Sequence, residues 1–386
     1  MIKISTLNKI AAIGTDIFDK TKYTITDDIS GADAIMVRSA SMLDMEFEPG
    51  LLAIARAGAG TNNIPVDKCA EQGICVFNTP GANANAVKEL VICGMLLASR
   101  KIPAGLEWAQ TLKGKGDEVG KLVEKGKGAY VGPEIAGKTL GVIGLGAIGV
   151  LVANAAMSLG MKVIGYDPFI SVKSAWGLKP GTIYASSLSA VYAEADYITL
   201  HLPYNKDTKH TVNEAAIASM KDGVRVLNFA RGELVDTAAM VKALSDGKVS
   251  SYVVDFPSDD VLGVEGVIAI PHLGASTPES EDNCAVMAAE ELIAYIEKGD
   301  IINSVNLPNA SMDAVGTKVC IIHKNLPDTI SKITGVFGAA GVNIENMVNK
   351  SKKDIAYTMV DAIGDIGDAA DKLSALDFVI KVRVIK

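Results

Sequence analysis

Short apolar runs that end in glycine or polar residues alternate with longer stretches of helical spacing along most of the chain. "AIMVRS" (Ala34–Ser39), "LLAIARAG" (Leu51–Gly58) and "GICVFNTP" (Gly73–Pro80) predict buried strands that finish in loops. "ANAVKELVICGMLLASR" (Ala84–Arg100) carries apolar residues on several faces and predicts a largely buried helix. The Lys- and Gly-rich segment Leu112–Gly132 reads as a solvated connector.

The pattern sharpens at Lys138–Pro168, which reads strand, glycine turn, helix, strand. Further strand signals follow at Ala195–Pro203, Gly223–Ala230, Ser250–Pro257 and Gly266–Gly274, with helical spacing between them. Strands that alternate with helices predict an α/β fold with a doubly wound parallel sheet. Thr277 with Pro278 at the first helical position starts a long helix to Asp300. Residues 302–316 read as a linker, and the last stretch as a separate βαββαβ unit. The expected domains are 1–97 with 277–305, then 98–276, then 316–386.

The 386 residues are long enough for two or three such domains, and 49% apolar content supplies their cores. The longest apolar runs fall well short of the ~18–20 residues of a membrane span. The N-terminal stretch lacks the long apolar core of a signal peptide. Five scattered cysteines, mostly among apolar neighbours, suit reduced buried thiols and a cytoplasmic location. They form no close pair of the kind that ligates metal, and no metal is expected. A net charge of −8 without a long basic run argues against nucleic acid.

"GLGAIG" places Gly144, Gly146 and Gly149 after a strand and at a helix start, with Ala147 and Ile148 between them. Asp167 closes the next strand. This context predicts a dinucleotide site: a tight turn at Gly144, close backbone approach to a pyrophosphate at Gly146, and helix packing at Gly149. The helix N-terminus attracts the phosphates. Asp167 accepts ribose hydroxyls and repels a 2′-phosphate, so NAD is expected rather than NADP.

Oxidation of a hydroxyl by NAD needs a base for its proton, and imidazole suits neutral pH. Of four histidines, His210 sits in a polar stretch and His323 in the tail. His201 ends a strand and reads as structural or cofactor-adjacent. His272 lies between Pro271 and Gly274 in a loop at a strand's C-terminal end, where such sheets bind ligands. It competes there with the plain reading of a loop histidine. Asp255, Asp259 and Asp260 offer carboxylates on the preceding strand end. Arg231 follows the apolar run "RVLNFA", where a guanidinium needs an anionic partner.

Taken in order, "GLGAIG…YD", "LHLP", "NFARGELVD", "VVDFP" and "PHLGAST" resemble the D-isomer-specific 2-hydroxyacid dehydrogenases over roughly residues 1–305. The resemblance implies a Rossmann-type nucleotide domain beside a flavodoxin-like substrate domain, with NAD and substrate in the cleft between them. It makes Arg231 the residue that binds the substrate carboxylate and polarises its C2 oxygen, and His272 the proton-transfer residue. The acid partner of that histidine is usually a glutamate five positions after the strand aspartate. Aspartate stands there instead, at Asp260, with Asp259 as the alternative. Asp255 takes the nicotinamide carboxamide, and His201, Ala230, Gly274 and Ala275 lie beside the cofactor. In the first domain, Gly58, Ala59 and Gly60 supply carboxylate-binding amides, with Arg56 nearby. Arg38 and Ser39 take the phosphate end, and Asn83 is a looser cleft match.

Residues 319–349 resemble an ACT domain, which within this family implies oxidation of 3-phosphoglycerate to 3-phosphohydroxypyruvate. His323, Asn325 and Asn343 match a serine-binding pattern, implying feedback by L-serine. Asp328 replaces the usual glycine after Pro327. ACT units pair side by side, so a homodimer or homotetramer is expected. The rival readings are a dehydrogenase for hydroxypyruvate, glyoxylate or lactate, and a non-catalytic NAD-sensing protein.

Overall fold

Five parallel strands form the first sheet of the computed structural model, which describes residues 1–385. Their order is Tyr23–Thr26, Ile2–Thr6, Ala34–Val37, Ala53–Arg56, Cys75–Asn78. The strand Ala34–Val37 is buried throughout, as a continuous apolar run requires in a sheet covered on both faces. The chain reverses direction across the sheet between Ile2–Thr6 and Ala34–Val37. That switch point opens a crevice at the strand C-termini. The helix Pro278–Lys298 returns to cover this sheet, with Ala288, Ala289 and Leu292 in one core with Ala34, Met36 and Ala55.

The second sheet has seven parallel strands, in the order Val267–Ala269, Val249–Val254, Val224–Asn228, Tyr197–Leu200, Thr139–Ile143, Lys162–Tyr166, Ile183–Tyr184. Its switch point lies between Tyr197–Leu200 and Thr139–Ile143. The expected helix Ala84–Arg100 is present, but it belongs to this sheet rather than the first. Val87, Val91 and Met95 pack with Leu140, Leu227 and Val253. At Gly94 an added Cβ would stand 2.8 Å from the Phe229 ring and 3.1 Å from Val253, so the helix approaches the sheet closely there. The two compact units are therefore 1–83 with the chain from 278 onward, and 84–277. The expected break after residue 97 falls at 83 because the helix's apolar face is complementary to the second sheet.

The segment read as a plain connector contains helix. Val119–Gly126 within it is α-helical, as is Ile102–Gln110 just before it, whose Trp108 packs its ring 5.3 Å from that of Tyr130. Lysines and glycines obscured the helical spacing, and no residue of either helix is buried.

The tail has the expected strand and helix order, with strands Thr317–Lys324, Asn343–Lys352, Ile355–Ile363 and Val379–Ile385 in one antiparallel sheet. Its helices, Thr329–Ala339 and Ala369–Ser374, bury Ile333, Phe337 and Leu373 against Val319, Ile321 and Val360. The alternate strand positions Cys320, Ile322, Tyr357 and Met359 enter the core of the first unit beside Leu292 and Tyr295. The tail is thus not the free-standing domain that the sequence suggests. Polar contacts fix the seam. Arg383 donates to Tyr295 O (3.2 Å) and Ile296 O (2.9 Å), Lys381 to Leu51 O (2.7 Å), and Tyr357 to Gly299 O (2.7 Å). The linker is also tied down. Asn306 accepts from Val76 N and donates to Ile74 O, covering the edge strand Cys75–Asn78.

No helix among the described residues is long and apolar enough to cross a membrane. Cys69, Cys75, Cys284 and Cys320 are buried free thiols, but Cys93 is exposed, departing from the expectation of burial.

Candidate active site

The glycine turn has the geometry that a phosphate cradle needs. Gly144 adopts φ 93°, and an added Cβ would lie 2.5 Å from His201 O. At Gly149 it would lie 1.9 Å from Gly144 O, so both are glycine for the protein's own packing. Gly146 differs: an added Cβ would meet nothing within 4 Å, which leaves open space outside the turn. Ala147, Ile148 and Gly149 start the helix Ala147–Ser158, and no side chain caps it. Uncapped N–H groups at a helix start suit an external anion. Asp167 braces the turn, accepting from Leu145 N (2.8 Å) and Phe169 N (2.9 Å). These features fit a dinucleotide.

Arg231 and His272 both leave the C-terminal edge of the second sheet. Arg231 follows the strand Val224–Asn228 and is exposed, not buried. Its guanidinium donates to Ala230 O at 2.6 Å. The buried Asn228 holds this turn from below, donating to Arg231 O (2.8 Å) and accepting from Ala230 N (3.2 Å). The sequence reading missed Asn228; its signal was an amide inside an apolar strand. His272 follows the strand Val267–Ala269 and has a left-handed backbone, φ 50°. Asp255, buried, accepts from Leu273 N (2.8 Å) and Gly274 N (3.0 Å), and burial raises its carboxyl above the usual range. A Cβ on Gly274 would lie 2.9 Å from that carboxylate, so the loop is drawn in tightly there; Ala275 follows it. Asp255 therefore spends both oxygens on the histidine loop.

Asp260 is not brought to His272 by any hydrogen bond or ion pair among the described residues. It lines a cavity of about 680 Å³ with Lys209, His210, Glu233, Asp236 and Phe256. Asp259 is exposed and has no hydrogen bond or ion pair among the described residues. His272 instead packs its ring against Phe256, with centroids 4.7 Å apart.

The other histidines are poorer bases or lie elsewhere. His201 Nε2 bonds Thr199 Oγ1 at 3.0 Å, and desolvation pushes its pKa down to about 3. His210 has a largely exposed side chain, as expected, with its Nδ1 3.9 Å from Asp236.

At the first sheet's switch point Asn8 and Arg38 follow neighbouring strands. Asn8 Oδ1 accepts from Arg38 N (3.0 Å), and its Nδ2 donates to Ser39 Oγ (3.0 Å). The Arg38 guanidinium pairs with Glu281 at 2.6 Å, a partner with no sequence signal because it lies 243 positions away. Arg56 shapes the loop, donating to Arg38 O (3.0 Å) and to Gly60 O. Gly58 has φ 159°, and Ala59 O accepts from Asn78. Asn83 is half-buried at the end of this segment.

In the tail, His323 is 1% exposed and both ring nitrogens are engaged, with Lys324 O and Thr358 Oγ1, each at 2.9 Å. Asn325 is tied to the hairpin turn through Lys353 O (3.1 Å). Asn343 pairs with Ile363 at the hairpin's other end, roughly 30 Å away along the strand. One chain does not gather the three residues, because nine strand positions separate Asn343 from that turn.

Residues 92–274 match the family model described as D-isomer specific 2-hydroxyacid dehydrogenase, NAD binding domain. D-3-phosphoglycerate dehydrogenase of Haemophilus influenzae is 32% identical over 99% of this chain and 94% of its own. The enzyme of the same name from Methanocaldococcus jannaschii is 36% identical over 77% of this chain. The chain spans 56% of that longer relative. Among solved structures, D-lactate dehydrogenase from Aquifex aeolicus, complexed with NAD and lactic acid, superposes with a TM-score of 0.60. It is 25% identical and covers 80% of this chain and 100% of its own.

Proposed function

Because the chain belongs to the D-isomer specific 2-hydroxyacid dehydrogenases, we propose that it oxidises 3-phosphoglycerate to 3-phosphohydroxypyruvate with NAD. The observation that carries this is the pairing of exposed Arg231 and His272 at one sheet edge, each backbone held by a buried polar residue, Asn228 and Asp255. Gly144, Gly146, Gly149 and Asp167 are the residues that would hold the dinucleotide. NAD, when bound, supplies the hydride acceptor. His272 takes the proton of the C2 hydroxyl as general base. Arg231 grips the carboxylate and the C2 oxygen with one planar fork, and stabilises the negative charge that develops on that oxygen. Asp260 receives no role at His272.

Arg38 and Ser39 are assigned the phosphate end, with the guanidinium exchanging Glu281 for the substrate's dianion. Removing it isolates the phosphate contribution. Arg38→Ala lowers kcat/KM for phosphohydroxypyruvate about 10- to 100-fold in the NADH-driven direction, and much less for hydroxypyruvate. Equal losses on the two substrates contradict the assignment.

The tail is assigned an ACT role in which L-serine binds between two copies, with Asn325 from one and Asn343 from the other. His323 serves there as a buried support rather than a ligand. This makes the working enzyme a homo-oligomer, and reduced thiols suit a cytoplasmic location. Initial rates fall on serine titration; unchanged rates up to millimolar serine remove the effector role.

A further inference from the structure

We propose that the Phe256 ring orients the His272 imidazole; this rests on the reading of His272 as the proton acceptor. The imidazole lies 4.7 Å from that ring, centroid to centroid, at a tilt of 52°. Among the described residues no side chain hydrogen-bonds either imidazole nitrogen, and the Phe256 ring is the aromatic neighbour it packs on.

The phenylalanine is itself well fixed. Its backbone precedes Pro257, which confines it to extended conformations. Its side chain packs on the core of Val235, Tyr252 and Val254. An added Cβ on Gly232 would lie 3.6 Å from the Phe256 Cβ, so Phe256 stands between the Arg231 turn and the histidine. Below it, Asp255 anchors the amides of Leu273 and Gly274, and His272 N donates to Ile270 O at 2.9 Å. The backbone of the histidine is thus pinned, and ring rotation is the freedom that remains.

The same phenylalanine lines the cavity that holds Asp260, and His272 does not. An aromatic face also favours the imidazolium that forms when the substrate's proton arrives. Phe256 acts through His272 and touches no reacting atom, so it is a positioning residue.

Steady-state reduction of phosphohydroxypyruvate by NADH tests this together with NMR of the histidine ring protons. Phe256→Leu lowers kcat ten- to a hundredfold and leaves both KM values within threefold; Phe256→Tyr restores kcat to within threefold. The His272 ring resonance, assigned by its absence in His272→Gln, is displaced by the aromatic ring current in the wild type and in Phe256→Tyr. It returns to the unstructured position in Phe256→Leu. A Phe256→Leu enzyme within twofold of wild type, or an unmoved resonance, overturns the proposal. The NMR arm is independent of catalysis. Normal turnover by His272→Gln would remove the catalytic reading while leaving the ring contact measurable.

Discussion

Arg231 and Arg383 carry the same guanidinium into opposite settings, and His272 and His323 repeat the contrast. Arg383 lies 4.5 Å over the Tyr295 ring and bonds two helix carbonyls; His323 is buried with both nitrogens bonded. Arg231 and His272 stand exposed on loops whose backbones are tied down, while the Arg231 guanidinium makes one bond, to Ala230 O, and the His272 ring packs on Phe256. A side chain whose hydrogen-bonding capacity is met inside the fold stabilises it. One whose own donors are mostly unspent keeps its chemistry for a ligand. The tail seam and the sheet edge use the same residue types for these two ends.

The largest effect expected from breaking this contrast is at Arg231. Arg231→Lys keeps the charge but loses the fork, and kcat/KM falls about 10²- to 10³-fold, while Tm stays within about 2 °C of wild type. A matching loss of Tm would make Arg231 structural.

Glu291 sharpens the comparison from the buried side. It is 4% exposed, accepts from Asn303 at 2.7 Å, and has a second carboxylate oxygen without a partner. Burial raises its pKa from 4.5 to about 8. The folded state therefore binds a proton that the unfolded chain releases between those values. This stability is fully present below pH 4.5 and is lost as pH rises through 8. Denaturant melts across that window show wild-type stability dropping on the order of a few kcal/mol, with the slope flattened in Glu291→Gln. Parallel slopes in the two proteins reject the assignment.

Next in size is Arg383→Met. It removes two hydrogen bonds at the end of the helix, although Tyr295 O keeps Gly299 N at 2.9 Å, and costs about 1–3 kcal/mol in chemical denaturation, with kcat nearly unchanged. An unaltered denaturation midpoint would mean the seam is held by apolar burial alone.

The smallest effect is at Asp328, which takes φ 67° at the start of the helix Thr329–Ala339. Asp328→Gly relieves left-handed strain and stabilises by about 1 kcal/mol. A loss of stability would show that the aspartate makes a compensating contact.

Much of this architecture was legible in the residues. "GLGAIG" with Asp167, and the strand runs ending at Arg38, Arg231 and His272, carry strong local signals of turn and burial. What escaped reading depends on surfaces that meet at long range. Nothing local says which sheet the apolar helix Ala84–Arg100 covers. The alternation in "VCIIHK" marks two buried faces, yet not that one of them rests on Tyr295. Glu281 reaches Arg38 across 243 positions. No hydrogen bond or ion pair joins Asp260 to His272 among the described residues, and the ring contact His272 makes with Phe256 had no signal in the spacing of the acids.

The most direct measurement is kcat/KM for NADH-driven reduction of phosphohydroxypyruvate by His272→Gln, taken with its melting curve. Assignment of that imidazole as the proton carrier predicts a fall of at least about a hundredfold with an unaltered melt. Turnover equal to the wild type would contradict it.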